Sequence, residues 1–452
     1  MADQAAGPTH HIVGSGRGIV KANWRIPGAL STTAALIIFA LSFAALTAAG
    51  VPRLALDRPA IALIGAVLMV AVAGFGTDAA LQAIDLRVIA LLFGTMVIAA
   101  YLDYAQFFRY AAYVVLTRAD SARALLWGIV MLSGVLSAFL LNDTVCLVLT
   151  PLVVAVTRES KLPTLPFILA VSSAANIGGI ASLTGNPQNM LIAQKAGGLL
   201  RYGPYLALGA PLAILCLCAN AALLTVLFRR ILPHGPLAAR RPPKPAFDRV
   251  LTVKALLALL AFAIMSAAGV SLTGASMVAV AALIVVAGIA PKKALALVDW
   301  PLLVFFAGLF VIIAAVNASG VLQQALDIIG PTLRQGGGIA ALMFVGVVVL
   351  GSNIVSNVPF VLVFLAVVPA LPHPATSYVQ LALVSTLAGN LTPMGSIANI
   401  ITLEKAGPLG RITFPTFVGY GLAITAVSLV VAGAGYALAV ATGFAGALGL
   451  AP

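Results

Sequence analysis

Apolar runs of roughly 16 to 25 residues recur along almost the whole of this 452-residue chain, and no long polar body separates them. A bilayer core about 30 Å thick takes about 20 apolar residues in helical form. Repeated runs of that length therefore dictate a bundle of spanning helices. Composition closes off the alternative of one large soluble core. Only 8% of the residues are charged and 62% are hydrophobic, against about 25% charged in soluble domains. With a mean hydropathy of +1.12, the chain cannot cover itself with polar surface, and lipid must be its solvent.

The formal net charge is +13, from 25 Lys+Arg against 12 Asp+Glu. In a soluble protein that excess would raise the question of nucleic acid. Here the basic residues sit mostly in short connections between apolar runs, the positive-inside pattern, so no nucleic-acid partner is expected. The strongest basic cluster, Arg229 to Arg249, reads as a cytoplasmic linker. The opposite side then receives Arg17, Lys21 and Arg25 of the polar N-terminal tail. That tail, residues 1–26, lacks the short apolar core of a cleavable signal, so the first apolar run, from about Pro27 to Val51, is expected to stay. Cys216 and Cys218 have no His or acidic residue near them, metal-ligand spacing is absent, and neither metal nor cofactor is expected. His10, His11, His234 and His373 lie in the tail, the linker and a loop, away from any relay.

The chain also repeats itself. "LLFGTMVIAA" from Leu91 matches "VFFAGLFVIIAA" from Val304, with Gly94 opposite Gly308. "SAFLLNDTVCLVL" from Ser137 matches "SNIVSNVPFVLVF" from Ser352, setting Asn142 opposite Asn357. "NIGGIASLTGNPQNMLIAQKAG" from Asn176 matches "NLTPMGSIANIITLEKAG" from Asn390, the first stretch being four residues longer. Together with a fourth match, between Ala48 and Ala267 onward, these follow one order at nearly constant offset. The expected fold class is an all-α polytopic membrane protein of two inverted repeats, 27–228 and 252–452, joined by a basic cytoplasmic linker over 229–251. Each repeat carries about five spanning runs: 27–51, 59–75, 87–102, 165–192 and 204–228, then 252–270, 275–290, 300–316, 378–403 and 414–441. Amphipathic stretches at 104–118 and 320–333 read as interfacial helices. Segments 122–157 and 338–370 read as re-entrant hairpins with arms of about 15 residues and polar tips. An odd number of crossings per repeat makes the second enter upside down.

Chemistry is expected where polar residues interrupt apolar runs. The fourth run of each repeat is broken by Asn176, Gly178, Gly185, Asn186, Pro187 and Asn189, and by Asn390, Thr392, Pro393, Gly395 and Asn399. Proline removes a backbone donor and glycine frees the backbone. Unwound backbone at membrane depth survives only where protein or a wet cavity covers it. Such breaks could be mere kinks capped by asparagine. Their recurrence in both halves, each beside a polar tip, favours a substrate or ion site built from four elements. The tips supply Asn142, Asp143 and Thr144, and Ser356 and Asn357. Asp143 either caps its helix or, as a costly intramembrane carboxylate, carries a proton. No Arg, Lys or His lies in sequence at the tips or breaks, which fits a neutral oxyacid or an anion held by helix N-termini. Lys195 and Lys405 are expected to snorkel or pair near an interface.

"LNDTVCLVLTPLVV", "SSAANIGGIASLTGNPQNMLIA", "SNVPFVLV" and "STLAGNLTPMGSIANIITLEKAG" resemble the ion transporter superfamily of arsenite/antimonite permeases, sodium–proton antiporters and citrate-type carriers. The likeness covers about residues 30–440. It is strongest to the arsenite-permease-related branch that also holds the silicic-acid efflux transporters of plants. The resemblance implies a non-enzymatic, proton-coupled exporter of arsenite, antimonite or silicic acid working by alternating access, in the cell inner membrane. The first tip, Leu141-Asn142-Asp143, departs from the Ser-Asn-Thr of the sodium-coupled dicarboxylate carriers, which weighs toward H+ over Na+. The alternative is a cation-coupled transporter of an anion such as a dicarboxylate, citrate or sulfate; a third is a channel-like assembly component. The expected partners are a small inorganic or anionic solute and the bilayer, with a homodimer implied by the resemblance alone. No P-loop occurs in the chain, and a separate ATPase subunit stays open.

Overall fold

The computed structural model describes residues 29–48, 56–233, 235, 244–320, 328, 330–407 and 412–451. Its secondary structure is helical, without a β-strand among these residues. In the first half the helices are α1 (Ala29–Ala48), α2 (Arg58–Ala71), α3 (Thr77–Ala83), α4 (Leu86–Tyr104), α5 (Phe107–Arg118), α6 (Ala122–Phe139), α7 (Asn142–Glu159), α8 (Thr164–Gly179), α9 (Pro187–Lys195) and α10 (Tyr202–Leu227). The second half has α11 (Arg249–Ala267), α12 (Leu272–Val286), α13 (Pro291–Leu295), α14 (Trp300–Ala318), α15 (Gly337–Val355), α16 (Asn357–Phe364), α17 (Pro374–Ala388), α18 (Ile397–Ala406), α19 (Phe414–Ala441) and α20 (Phe444–Ala447).

Seven of these helices are long and apolar enough to cross a membrane: α4, α6, α10, α11, α14, α15 and α19. Large apolar side chains such as Leu41, Val285, Leu342 and Val430 stand exposed, as lipid-facing positions must in a chain without polar cover. The helix starts follow from local chemistry. Asp57, Asp85, Asp248 and Asp299 each accept backbone N–H bonds at the start of α2, α4, α11 and α14, satisfying donors that no helical carbonyl reaches. Asn186 does the same for α9, with Pro187 at its first position.

Three of the four arms of the polar-tipped segments are longer than the expected 15 residues and the fourth is shorter. α6 and α7 have 18 residues each, α15 has 19 and α16 only 8. The 104–118 stretch is the half-buried α5. Its proposed counterpart, 320–333, lies largely outside the described residues, as do the tail 1–26 and part of the linker.

The two halves interlock through small residues. Gly308 of α14 packs on Ala62 of α2, and Gly94 of α4 packs on Ser276 of α12. Small residues let helix backbones approach where lipid offers no hydrophobic drive for association. Gly178 of α8 sits against the Gly134 backbone of α6, where a Cβ would collide. The last of these contacts seats the first broken run, α8–α9, against α6.

Candidate functional site

The fourth run of each half is broken as expected. α8 ends at Gly179 and the chain resumes helix at Pro187; α17 ends at Ala388 and helix resumes at Ile397 after one 3-10 turn at Pro393–Gly395. One asparagine stitches each break. Asn189 Nδ2 donates to the carbonyls of Gly179 (3.0 Å) and Ser182 (3.1 Å). Asn399 Nδ2 donates to those of Gly389 (2.6 Å) and Thr392 (2.9 Å). The spans are ten and seven residues in both, so the breaks are equally long.

That corrects the sequence alignment, which placed Asn176 opposite Asn390 with a four-residue excess in the first stretch. By hydrogen bonding and helix ends, Asn176 corresponds to Thr386, Gly179 to Gly389 and Asn186 to Ser396. The bonds between the halves are then reciprocal. Asn176 Nδ2 donates to Asn399 Oδ1 (3.0 Å), and Thr386 Oγ1 to Asn189 Oδ1 (3.5 Å). Ser396 Oγ donates to Asn176 Oδ1 (2.9 Å), and Asn186 Nδ2 to Thr386 Oγ1 (3.1 Å). Gapless matching of similar motifs cannot place a length difference; helix ends can.

Around this lattice the predicted residues converge. Asn142 donates through Nδ2 to Asn176 Oδ1 (3.0 Å), and its backbone N–H bonds the Gly185 carbonyl (3.1 Å). Asn176 Nδ2 also reaches Asn390 Oδ1 (2.9 Å). Asn142, Asn176, Asn186, Asn189, Asn357, Asn390 and Asn399 are buried; Thr144, Ser356 and Thr392 are half-buried. Gly178, Gly185 and Gly395 act by absence of a side chain. A Cβ on Gly185 would lie 2.6 Å from the Ser137 carbonyl, and one on Gly395 2.6 Å from Asn353 Oδ1.

Several buried polar atoms at the tips and the second break have no partner among the described residues: Asn142 Oδ1, Asp143 Oδ2, Ser356 Oγ, Asn390 Nδ2, and both Oδ1 and Nδ2 of Asn357. Buried polar groups are almost always satisfied, so such a concentration marks a place for solute, ion or water. Asp143 is 5% exposed. It does not cap α7, whose N-cap is Leu141 and which has no side-chain cap. Instead it borders a cavity of about 40 Å³ with Thr144, Asp103 and Asp299.

The second tip holds a residue the sequence reading missed. Arg58, in the first turn of α2, lines a small void with Val355, Ser356, Pro359, Phe305 and Met394. Among the described residues its Nε is buried without a partner, and Nη2 reaches only the Met394 sulfur, at 3.7 Å. The expectation that no cation lies at the tips is thereby corrected: Arg58 is distant in sequence and arrives by the packing of α2 on α14. Ser356 itself has φ 75° and ψ 156°, a region left almost entirely to glycine and costly for serine. Ser172, Asn353, Thr386 and Ser396 also join the site. Ser172 and Thr386 each lie four residues before a predicted asparagine, a spacing that marks one helix face and could have found them. Lys195 pairs with Asp85 at 3.2 Å, as expected of a residue near an interface.

Two broken helices, two polar tips and an apolar exterior define a membrane-embedded secondary transporter, not an enzyme. The chain belongs to the CitMHS citrate transporter family, whose model matches residues 34–388. It is 30% identical over 451 residues to the silicon efflux transporter LSI3 of Oryza sativa subsp. japonica, covering 83% of this chain and 92% of that one. It is 33% identical over 368 residues to the uncharacterized transporter Rv2684 of Mycobacterium tuberculosis, covering 77% and 85%. A shorter match, 32% over 182 residues, covers 40% of this chain and 32% of the putative transporter arsB of Dictyostelium discoideum. The fold is similar to that of the Alcanivorax borkumensis YdaH transporter, with a TM-score of 0.56 and 14% identity over 94% of this chain and all of that one. Neisseria gonorrhoeae MtrF gives 0.55 and 15%, over 91% and 95%.

Proposed function

We propose that this protein is a proton-coupled carrier that exports a small uncharged oxyacid, arsenite, antimonite or silicic acid, by alternating access. The observation that carries the reading is Asp143: a buried carboxyl with an unpartnered oxygen, one residue from an asparagine lattice made wholly of neutral donors and acceptors. Amide and hydroxyl groups suit a solute that presents several hydroxyls and no net charge. The likeness to a silicon efflux transporter supports the same solute class. In this reading the halves 27–228 and 252–452 are inverted repeats, and the reciprocal hydrogen bonds between α8–α9 and α17–α18 are what a two-fold relation produces. The linker lies in the cytoplasm of a cell whose inner membrane holds the carrier.

Arsenite accumulation in everted vesicles, driven first by a pH gradient and then by a sodium gradient, tests it. Uptake that follows the pH gradient and is competed by antimonite or silicic acid is the expected result. One observation favours a second reading. Among the described residues Arg58 at the second tip hydrogen-bonds only a thioether, and a guanidinium suits a carboxylate. Citrate or dicarboxylate flux that is lost in Arg58→Leu and partly kept in Arg58→Lys, with no arsenite signal, would establish the anion carrier instead.

A further inference from the structure

Three of the 12 acidic residues in a chain of net charge +13 converge on one cavity. Asp103 comes from the last turn of α4, Asp299 from the N-cap of α14 and Asp143 from the first turn of α7; Thr144, Leu147 and Leu297 are among the other lining residues. Exposure grades along it. Asp143 is buried at the inner end, Asp103 is half-buried and Asp299 is exposed. Its exposed member, Asp299, and Asp103 stand at the linker end of the bundle, since Asp248 N–H bonds the carbonyl of Ala105, just beyond α4. Asp143 Oδ2 is buried, unpartnered and on the cavity wall.

The corresponding position in the other half is handled differently. Asp85 begins α4 as Asp299 begins α14, and each caps its helix. Asp85 is neutralised by Lys195. Asp299 has no such ion pair among the described residues. The depression at the far end of α4, about 400 Å³ in volume, is instead lined by the cations Arg87 and Arg201. The two cavities thus differ in sign: one is lined by carboxylates and the other by guanidiniums.

We infer that the cavity is a cation vestibule, in which Asp103 and Asp299 gather protons from the linker-side water and pass them to Asp143. This rests on Asp143 as the coupling group. Clefts lined by one sign of charge raise the local concentration of the opposite ion by about tenfold or more. A proton arrives as hydronium, an O–H bond forms at Asp143 as one breaks in hydronium, and water leaves. Asp103 and Asp299 are positioning residues that never touch the solute. The other charges around the path are Arg58 of α2 on Asp143, Glu404 of α18 on Arg58, Arg109 of α5 on Asp103, and Lys293 of α13, whose Nζ stands 6.0 Å from the ring centre of Tyr104, next to Asp103. Asp299→Asn keeps the cap on Leu302 N–H, since asparagine caps as well as aspartate.

The test uses Thr144→Cys in the full chain in oriented vesicles. Two impermeant methanethiosulfonates of similar size, one bearing an ammonium and one a sulfonate, label it, and modification of residue 144 is read by mass spectrometry. Rates are normalised to those with a free small thiol. From the linker side the ammonium reagent should react about tenfold faster, and Asp103→Asn with Asp299→Asn should bring the ratio near one. From the far side both reagents should be at least about tenfold slower. A ratio near one before substitution, or one indifferent to the paired substitution, overturns the vestibule. In coupled flux, the same pair without the cysteine should raise the linker-side proton concentration for half-maximal rate about three- to tenfold. An unchanged value, with Asp143→Asn uncoupled, sinks the vestibule and leaves the coupling reading. Charge-selective labelling with Asp143→Asn still coupled does the reverse: the mouth gathers cations, and the proton step through Asp143 is wrong.

Discussion

At the first tip Asn142 is tied down twice, to the Gly185 carbonyl and to Asn176. At the second, neither side-chain atom of Asn357 has a partner, and the preceding Ser356 is held at positive φ. The first tip carries a carboxyl that faces an acidic cavity; the second has Val358 in that place and receives Arg58 from α2. The helix after the first tip runs 18 residues, the one after the second only 8. Two segments of matching sequence therefore do different work. A satisfied polar network fixes geometry, whereas unmade hydrogen bonds and backbone strain are a cost that another arrangement can recover. The second tip is poised to change partners and the first to hold a charge.

The largest expected effect follows from that division. Asp143→Asn should abolish dependence of flux on the pH gradient while the purified protein stays folded, because asparagine keeps the shape and no cap is lost. Persistent pH-driven flux would remove the charge from the first tip's role. Next in size is the lattice itself. Asn176→Ala strands Asn142 Nδ2, Ser396 Oγ and Asn390 Oδ1, and should cost about 2–4 kcal/mol at about 1 kcal/mol or more per stranded group. Thr386→Val, its structural counterpart, strands Asn186 Nδ2 and loses only two long bonds besides, from Gln188 Nε2 (3.4 Å) and to Asn189 Oδ1 (3.5 Å), and should cost about 1–2 kcal/mol. Thermal unfolding in detergent ranks the two. Equal losses would mean that the halves are more alike at the centre than their bonds imply.

How much of this could be read beforehand differs by kind of evidence. Spanning runs, broken helices and tips are legible because lipid leaves few ways to place a glycine, proline or asparagine inside an apolar run. Asn189 and Asn399 stand out for the same reason, and each bridges its break. The pairing of Asn176 with Thr386 is not legible: threonine hides in an apolar helix, and sequence similarity sets asparagine against asparagine. Arg58 was invisible for a different reason. It begins a run, where a cation reads as an interface anchor, and only the packing of α2 beside α14 carries it to Ser356. Asp103 and Asp299 likewise look like helix-end residues until the cavity joins them to Asp143.

The smallest effect gives the sharpest contrast between the tips, because it is a matter of sign. Ser356→Gly removes a hydroxyl that has no partner and relieves a conformation that costs a non-glycine residue about 1–3 kcal/mol. The added freedom of the unfolded chain returns about 0.5–1 kcal/mol of that. The net should be a stabilisation of about 1 kcal/mol, seen as a small rise in the midpoint of thermal unfolding. The matching change at the first tip, Leu141→Gly, has no strain to relieve, since Leu141 has φ −58°, and it empties a buried site. It should destabilise by several-fold more than Ser356→Gly stabilises. A loss of stability in Ser356→Gly would show that the serine is held by something other than strain. The case for a second tip poised to rearrange would then rest on Asn357 alone.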